Sequence, residues 1–443
     1  MKSAKSFCCN ASLRPWGVKV ADLLATAQAL VDPLPVGERR SLLVRWADRI
    51  ERQHEALARV ITQATGKPIR LSRAEVDRGI ITIRGTVAAM DRLTPHVVSL
   101  DASGSAEIHH VPLGPVLAIT PFNFPLNLAL HKLAPAIAAG CPVIWKPSPQ
   151  APGVAEMLVT LLMNADAPEG LVQIAHLSNE QVAAMVRDER LAVLSFTGSQ
   201  AVGHHLQEIA TRAKVLLELG GNAAVILHQL TDPAVVARHI ALGACAHAGQ
   251  VCVSVQRIFV PVEHPEWTAA LIAAFKALPS GDPNLDLTLN GPVISESAKE
   301  RISALLTRYA VQGGQTLCGG TWNGRVLEPT LIGNLPAIAP GVYDTEVFAP
   351  LATIHEYGDI DGAIHLAELT PFGLQCGLYT HDETVIRKAF AAINVGTLVI
   401  NDVPTRRDDR LPYGGMKASG TGREGTLDTV LDYTQPKVLW RTE

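Results

Sequence analysis

Apolar residues recur at helical spacing through the first part of the chain. The stretch RRSLLVRWADRIERQHEALARVITQATGKP carries charged residues between apolar positions three or four apart, which is typical of amphipathic helices. We predict two helices over residues 20–66, and Gly66 and Pro68 end the second of them. A further helix is predicted over residues 73–93, and the polar segment DASGSAEIHHVP that follows favours an extended ribbon.

The pattern changes at Gly114, after which short apolar runs alternate with helical stretches. The runs GPVLAIT, CPVIWK, LVQIA, LAVLSF and KVLLEL are rich in Val, Ile and Leu. Strands that alternate with helices predict a parallel sheet with crossover connections, that is, a Rossmann-like, doubly wound α/β domain. After about residue 221 the runs AAVILH, RIFVPV, ATIHEY, CGLYT and GTLVIN predict a second α/β domain. The closing DYTQPKVLWRTE is predicted to be an edge strand outside both cores.

Composition and charge exclude several classes of protein. The 443 residues, 47% hydrophobic and 18% charged, are typical of a globular chain of two or three domains. A net charge of −4 does not favour nucleic acid or an anionic membrane as a partner. No apolar run reaches the roughly 18 residues of a membrane span, and the N-terminal residues lack the apolar segment of a secretion signal. A cytoplasmic protein is therefore expected.

The cysteines give the first candidate for chemistry. They are odd in number, and no C-x-x-C spacing occurs, so neither a metal site nor thioredoxin-type chemistry is predicted. In the segment GACAHAGQVCVSVQR, the small residues Ala248 and Gly249 would let the backbone approach a ligand near Cys252. From these neighbours alone, Cys252 is as well explained by a buried core cysteine as by a nucleophile. The seven are Cys8, Cys9, Cys141, Cys245, Cys252, Cys318 and Cys376.

Three further segments place polar groups at the ends of predicted strands. Glu218 in LLELGGNA would be partly buried, which raises a carboxyl pKa and suits a general base, although a solvated strand end is equally possible. Asn123 in ITPFNFP lies in a turn between two prolines, where its amide could donate to an oxyanion or simply stabilise the turn. In LSFTGSQAVG a strand runs through Thr197 and Ser199 into a helix, whose free N–H groups suit a pyrophosphate. Because this segment is not G-x-G-x-x-G, a plain strand–turn–helix connection remains the alternative.

Taken together and in this order, the motifs resemble the NAD(P)-dependent aldehyde dehydrogenase superfamily. They are ITPFNFP, IWKPS, FTGS, LELGGN, GQVC, EVFAP and PYGGMKASGTGREG, and the resemblance runs from about residue 20 to the end. The segments around His247 and the loop NDVPTRRDDRLP are most similar to the lactaldehyde and phosphonoacetaldehyde branch. In other members an Asn commonly stands at the position of His247, which is otherwise explained as a structural imidazole.

The resemblance implies a mechanism and a set of roles. Cys252 would attack the aldehyde, Asn123 and the Cys252 backbone N–H would hold the oxyanion, and Glu218 would activate the water that hydrolyses the resulting thioester. Members that transfer the acyl group to coenzyme A lack this glutamate, so a free acid is the implied product. Lys132 is implied to have a structural or pKa-tuning role. The residues implied to bind the cofactor are Thr120, Pro121, Phe122, Lys146, Ser148, Thr197, Gly198, Ser199, Leu219, Gly220, Glu346 and Phe348.

The resemblance also implies cofactor, domains and assembly. Pro149 stands where many members carry a ribose-binding glutamate, so NAD is favoured but NADP is not excluded. The family usually begins with two more strands than this chain has, which leaves the edge of the cofactor domain open. A homodimer or homotetramer is implied. The implied units are a cofactor-binding domain (1–97 and 113–220), a catalytic domain (221–429) and an oligomerisation element (98–112 and 430–443).

The substrate is indicated by basic residues in the loop 401–412, which lines the substrate entrance of the family. Arg407 is expected to contact the substrate, as are His131, eight residues after Asn123, and Arg84 on the helix that also carries Arg78. Guanidinium groups suit carboxylate, phosphonate or sulfonate, so a small anionic or hydroxylated aldehyde is predicted. The alternative is that the loop arginines pair with Asp408 and Asp409 on a solvated surface.

Two rival functions remain at this point. A catalytically silent family member would act as a structural or binding protein, although its intact Cys252, Glu218 and Asn123 argue against this. A thiol esterase would use the same cysteine without a cofactor, and NAD(P)H absorbance on addition of an aldehyde would distinguish it.

Overall fold

The fold was examined in a computed structural model that describes residues 19–100, 104–229 and 232–442. The first eighteen residues of the predicted cofactor domain, including Cys8 and Cys9, lie outside the described residues. Within the described ranges no helix is long and apolar enough to cross a membrane. The helices are α1 Val20–Gln28, α2 Val36–Arg52, α3 His54–Thr65, α4 Ile69–Ala89, α5 Asn127–Ala139, α6 Pro152–Met163, α7 Asn179–Arg187, α8 Gln200–Ile209, α9 Pro233–Cys245, α10 Glu266–Ala277, α11 Glu296–Val311, α12 Ile360–Glu368, α13 Glu383–Ala392 and α14 Thr426–Asp432.

The region 20–66 forms three helices, so the prediction of two is wrong. Besides the connection between α1 and α2, the helical conformation is broken at the single residue Gln53 (φ −107°), and α3 begins at the next residue. The apolar spacing continues across this single residue, which is why the pattern did not reveal the break. The predicted end is confirmed, because Gly66 adopts φ +70° and donates its N–H to the Thr62 carbonyl.

The first sheet has six strands, and the five longest run parallel. A short antiparallel strand from the predicted catalytic domain closes one edge, a pairing that the sequence did not indicate. The fully buried helix α5 follows the central strand. The strands, in their order across the sheet, are Gly420–Thr421, Lys214–Glu218, Val193–Thr197, Val116–Ile119, Val143–Lys146 and Val172–Ile174.

The strand order of this sheet reverses between Val116–Ile119 and Val193–Thr197. The chain moves outward from the first of these strands in one direction, then returns to add the second on its other side. In open α/β sheets, ligands bind in the crevice outside the carboxyl ends of the strands at such a point. The turn that carries Asn123 and the turn at Gly198 both lie there.

The second sheet has seven strands and lies entirely within residues 223–400. All five predicted runs form strands in it, whereas Gln315–Cys318 and Thr330–Gly333 were not predicted. With the first sheet, this arrangement confirms the α/β fold class. Across the sheet the strands are Gln315–Cys318, Thr330–Gly333, Leu351–Tyr357, Val255–Pro261, Ala223–Leu227, Gln375–Tyr379 and Thr397–Ile400.

A third sheet joins the two segments predicted to form the oligomerisation element. Ser105–Pro112 pairs antiparallel with His96–Ser99 on one side and with Thr434–Arg441 on the other. The ribbon and the C-terminal strand were thus predicted, although residues 426–432 belong to α14. The assignment of this sheet to assembly stays a prediction.

Candidate active site

One cavity of about 630 Å³ opens at the carboxyl edge of the first sheet. The three predicted catalytic residues, Cys252, Glu218 and Asn123, all line it, as does Arg407. The structure therefore brings together three predicted catalytic residues that are up to 129 residues apart in the chain (252 − 123). The predicted cofactor residues that also line it are Pro121, Phe122, Thr197, Gly198, Ser199, Leu219, Gly220, Glu346 and Phe348.

Cys252 follows a turn with an uncommon backbone. His247, Ala248 and Gly249 have φ values of +54°, +56° and +63°, and the left-handed conformation costs roughly 1–2 kcal/mol for a residue with a Cβ. A Cβ at Gly249 would lie 2.0 Å from the Ala349 carbonyl oxygen, so only glycine fits there. The Gln250 side chain holds the turn by donating to the His247 carbonyl (3.2 Å) and accepting from a neighbouring backbone N–H (2.8 Å). Strain is therefore retained immediately before the predicted nucleophile.

The Cys252 thiol is partly buried, and its Sγ lies 3.2 Å from the hydroxyl oxygen of Tyr413. Burial raises the pKa of the thiol to about 11. The hydrogen bond to Tyr413 and the charge of Arg407 act in the opposite direction, whereas the carboxylates of Glu346 and Glu218 add to the rise. The site thus contains groups that oppose and groups that favour the thiolate.

Asn123 is fixed at both ends of its amide. The backbone N–H of Phe124 donates to Oδ1 (3.1 Å), and Nδ2 donates to the Gln250 carbonyl (3.0 Å). Because a side-chain amide nitrogen carries two hydrogens, one remains available as a donor. The oxyanion role predicted from ITPFNFP stays a prediction.

Glu218 ends the strand Lys214–Glu218 and is buried. Its Oε2 has no hydrogen-bond partner among the described residues. Burial raises its pKa well above the ordinary range, the nearby Glu424 carboxylate adds to this rise, and Lys132 opposes it. In its ionised form, a carboxyl group with a raised pKa and a free oxygen is a stronger base towards water than an ordinary carboxylate.

The Arg407 side chain is only 10% exposed and lies among carboxylates. Its Nη2 donates to Glu424 Oε2 (3.0 Å), and its Nε lies 3.0 Å from Asp409 Oδ1. Its guanidinium carbon lies 3.8 Å from the centre of the Tyr413 ring. The alternative of solvated pairing therefore describes Arg410 and Asp408, which pair with each other at the surface, but not Arg407.

Two predicted substrate contacts need correction. His131 is fully buried, does not line the cavity, and contacts Asp409 (3.0 Å) and Arg407 (3.1 Å). It can support Arg407 but cannot reach a ligand. Arg84 is half-exposed and pairs with Glu51 at the surface (2.7 Å), because it lies almost two turns beyond Arg78 on α4. Arg78, by contrast, lines the cavity.

The cofactor side of the cavity is built from backbone and small side chains. Helix α8 begins directly after Ser199, so its first N–H groups face the switch point of the sheet. Thr197 Oγ1 is buried and has no hydrogen-bond partner within the described part of the chain, and a Cβ at Gly220 would lie 2.4 Å from Glu346 Oε2. An unpartnered hydroxyl, a free helix N-terminus and a close carboxylate fit the ribose and pyrophosphate of a nicotinamide dinucleotide.

The remaining predicted cofactor residues lie at or beside this edge. Burial raises the pKa of Glu346 to about 7, and its carboxylate accepts the Gly221 N–H (3.2 Å). Phe348 meets Phe122 edge to face with ring centres 6.2 Å apart. Three do not line the cavity itself: Thr120, whose hydroxyl accepts the Trp145 indole N–H (2.9 Å), Lys146 and Ser148.

Several residues at the site were not predicted. Tyr413 and Glu424 occur in the quoted motif PYGGMKASGTGREG, but no role followed from their spacing. Lys67 and Glu75 form a buried ion pair on the cavity wall, and Glu75 Oε1 accepts two N–H groups at the start of α5. No local pattern marks this pair. Lys132 contacts Glu424 (3.3 Å), and its structural or pKa-tuning role stays a prediction.

Several known proteins are similar to this chain in sequence and structure. A sequence profile of the aldehyde dehydrogenase family matches residues 19–439. The 3-sulfolactaldehyde dehydrogenase of Priestia aryabhattai is 34% identical over 412 residues, which cover 91% of this chain and 86% of the relative. The lactaldehyde dehydrogenase of Methanococcus maripaludis is 34% identical over 416 residues, with 92% and 88% covered. The crystal structure of glyceraldehyde-3-phosphate dehydrogenase from Methanocaldococcus jannaschii with NADP has a TM-score of 0.92 at 31% identity, covering 96% of this chain and 94% of that one.

Proposed function

Because the chain belongs to the aldehyde dehydrogenase family, we propose that it oxidises a small anionic or hydroxylated aldehyde to the carboxylic acid through a thioester on Cys252. Family membership confirms the predicted resemblance, and the enzyme is an NAD(P)-dependent oxidoreductase. The observation that carries the proposal is the meeting of Cys252, Asn123 and Glu218 in one cavity.

In the proposed first half-reaction, the Cys252 thiolate attacks the aldehyde carbon and the carbonyl π electrons move to oxygen. The free Asn123 N–H and the Cys252 backbone N–H donate to this oxyanion, and one such donor is worth about 3 kcal/mol of barrier. The bound NAD(P) supplies the hydride acceptor. The left-handed turn at His247 and Ala248 keeps the sulfur on the cavity wall while the acyl group is attached.

In the second half-reaction, Glu218 takes a proton from a water molecule whose oxygen attacks the thioester carbon. The C–S bond breaks, Cys252 leaves as a thiolate, and the carboxylic acid is released. Glu218 lies next to the cavity with one oxygen unpartnered, as this role requires. Hydrolysis is favoured over transfer to coenzyme A because a glutamate stands at this position.

The twelve cofactor residues implied by the resemblance are retained in the proposal, with NAD favoured and NADP accepted. Lys146 would reach the adenosine ribose, and Pro149 leaves no carboxylate to repel a 2′-phosphate. Kinetics with both cofactors at a fixed aldehyde concentration test this point. We expect a kcat/KM for NADP within about tenfold of that for NAD. The absence of one repulsive carboxylate changes the binding free energy by only about 1 kcal/mol, which separates the two cofactors weakly.

We propose that Arg78 and Arg407 recognise the polar end of the substrate. Arg78 donates through Nε and Nη2 to Asp409 (3.0 and 2.8 Å), which leaves three of its five N–H donors for a ligand. The related 3-sulfolactaldehyde and lactaldehyde dehydrogenases are named for an anionic and a hydroxylated aldehyde. Both chemistries match guanidinium donors.

Helix α4 offers a matched pair of variants to test this substrate class. Arg78→Gln should lower kcat/KM for succinate semialdehyde by roughly 10- to 100-fold, since a hydrogen bond to a charged group is lost, and should change that for butanal much less. Arg84→Gln, on the same helix but outside the cavity, should leave both values unchanged. A preference of the wild-type enzyme for butanal would contradict an anionic substrate if Arg78→Gln does not alter the ratio of the two kcat/KM values.

For the assembly, we propose a homodimer or homotetramer built through the third sheet. Its outer faces expose Val97, Val438, Leu439 and Trp440, an unusual concentration of apolar side chains for a solvent-facing sheet. Light scattering should give two or four times the 47.3 kDa of one chain, and Trp440→Glu should lower it. A monomeric mass for the unmodified protein would contradict the assignment.

A further inference from the structure

Tyr413 contacts the sulfur of the proposed nucleophile, yet nothing in the mechanism so far uses it. Its hydroxyl oxygen lies 3.2 Å from Cys252 Sγ, within hydrogen-bond range for sulfur. The side chain is buried and packs against Val253 and Leu374. The hydroxyl is therefore held at the reacting atom and is not free to rotate into solvent.

A closed set of contacts holds the phenol in this position. Tyr413 and Glu424 exchange backbone hydrogen bonds (2.7 and 2.5 Å), and the Glu424 carboxylate accepts from Arg407 Nη2 (3.0 Å). Arg407 in turn lies over the Tyr413 ring at 3.8 Å. The backbone bridge, the ion pair and the cation–π contact fix ring, cation and carboxylate relative to one another.

We propose that the Tyr413 hydroxyl is a catalytic hydrogen-bond donor that stabilises the Cys252 thiolate, and that Arg407 strengthens this donor through the ring. The inference rests on the proposed role of Cys252 as nucleophile. When the thiol loses its proton to solvent, the phenol keeps its own proton and turns it towards the sulfur anion. No bond other than S–H is broken in this step.

The electrostatics of the site favour this direction of donation. Burial raises the pKa of Tyr413 well above its ordinary value, and the neighbouring thiol adds to the rise, so the phenol stays protonated at neutral pH. The charged groups that face Cys252 are Glu346 and Glu218, which oppose its ionisation, and Arg407, which favours it. Without the Tyr413 hydroxyl, Arg407 would be the one group among these that favours the thiolate, against the effects of burial and of two carboxylates.

The test measures the ionisation of Cys252 without turnover. Cofactor-free enzyme is alkylated with iodoacetamide between pH 6 and 10, and the modified Cys252 peptide is quantified by mass spectrometry. Tyr413→Phe keeps the ring and removes the hydroxyl, so the pKa of Cys252, which at about 11 lies above this pH range, should rise further by about one to two units. The shift is read from the alkylation rate at each pH, because that rate follows the thiolate fraction. Below both pKa values the alkylation rate should fall by about 10- to 100-fold.

Tyr379→Phe is the matched control, because Tyr379 is also buried and its hydroxyl has no hydrogen-bond partner among the described residues. That variant should leave the profile unchanged. Replacing Tyr413 by 3-fluorotyrosine, a more acidic phenol, should shift the profile of Cys252 to lower pH in a protein of nearly identical shape.

An alkylation profile that does not move in Tyr413→Phe overturns the proposal, even if the KM for aldehyde rises, since Tyr413 would then only line the substrate space. Failure of the proposed function is recognised separately, by aldehyde oxidation that survives Cys252→Ala. That result would leave the alkylation profile and its dependence on Tyr413 unaffected.

Discussion

The two sides of the active-site cavity are built in different ways. The cofactor side consists of strand ends, the start of α8 and small residues such as Gly198 and Gly220. The substrate side consists of buried charges that compensate one another, with Arg407 between Glu424 and Asp409 and with Glu218 beside Glu424.

This difference predicts how each side responds to change. A backbone site loses little when one side chain is trimmed, because the N–H groups and the helix dipole remain. A network of buried charges loses much when one member is neutralised, because its partners are left without compensation. Substitutions should therefore have their largest effects on the substrate side.

Among variants that keep the nucleophile, the largest kinetic effect is expected for Glu218→Gln. The amide cannot accept a proton from water, so thioester hydrolysis should slow by about 10²- to 10⁴-fold, the usual contribution of a general base. The first turnover should remain fast. Stopped-flow recording of NAD(P)H should then show a burst of one equivalent per active site followed by a slow phase. A uniform loss of burst and steady-state rates would assign Glu218 a role before hydrolysis.

Arg407→Gln should cause the largest loss of stability. It removes the cation that lies between Glu424 and Asp409, although Lys132 still contacts Glu424 and Arg78 still pairs with Asp409. The unfolding free energy should therefore fall by up to about 3–5 kcal/mol, the loss typical of a broken buried ion pair. Urea denaturation measures this loss. Arg406→Gln is the control from the same loop: its side chain is 75% exposed and lies 3.6 Å from Asp402, so its effect should stay within about 0.5 kcal/mol. Equal losses for the two arginines would contradict the asymmetry.

Glu346, on the cofactor side, should produce a pH-dependent effect of intermediate size. Folding raises its pKa from 4.5 to about 7. The native state therefore holds this proton more tightly than the unfolded state, and stability falls as pH rises between these values. The loss amounts to at most about 3 kcal/mol. The unfolding free energy is measured at pH 5 and pH 8 for the wild type and for Glu346→Gln. Between these pH values it should fall more in the wild type than in the variant, by up to this amount. Parallel pH dependences of the two proteins would contradict the prediction.

The smallest effect is expected for Thr197→Val. Its hydroxyl has no partner among the described residues, so the cofactor-free protein should lose no stability. If the hydroxyl donates to the cofactor, the Kd for NAD(P) should rise by roughly 2- to 10-fold. Fluorescence titration measures the Kd and thermal unfolding the stability. A loss of stability without a change in Kd would show that the hydroxyl has a structural partner instead.

Most of the fold could be predicted because its central strands are continuous apolar runs. Runs such as KVLLEL and AAVILH form buried parallel strands, and these are the elements with the clearest pattern. The edge strand Gln315–Cys318 is mostly exposed and carries no such signal. The break at Gln53 was hidden because one non-helical residue does not disturb helical spacing.

The residues of the candidate site likewise divide into those that the sequence predicts and those that it does not. Cofactor residues occur in short contiguous motifs, since a strand end and the following turn are local in sequence. The buried network depends on contacts such as Arg78 with Asp409, 331 residues apart, which no spacing reveals. For this reason the sequence does not distinguish Arg84 from Arg78 as a substrate contact. It likewise does not show that the His131 ring contacts Arg407 and Asp409 and not a substrate.

The most direct test of the account is the aldehyde-dependent formation of NAD(P)H by Cys252→Ala. Cys376→Ala is the control, because Cys376 is buried in the strand Gln375–Tyr379 and does not line the cavity. With protein shown to be folded and to bind the cofactor, Cys252→Ala should form no NAD(P)H above the enzyme-free rate, and Cys376→Ala should remain active. Aldehyde oxidation at an unchanged rate by Cys252→Ala would contradict the proposed thioester mechanism.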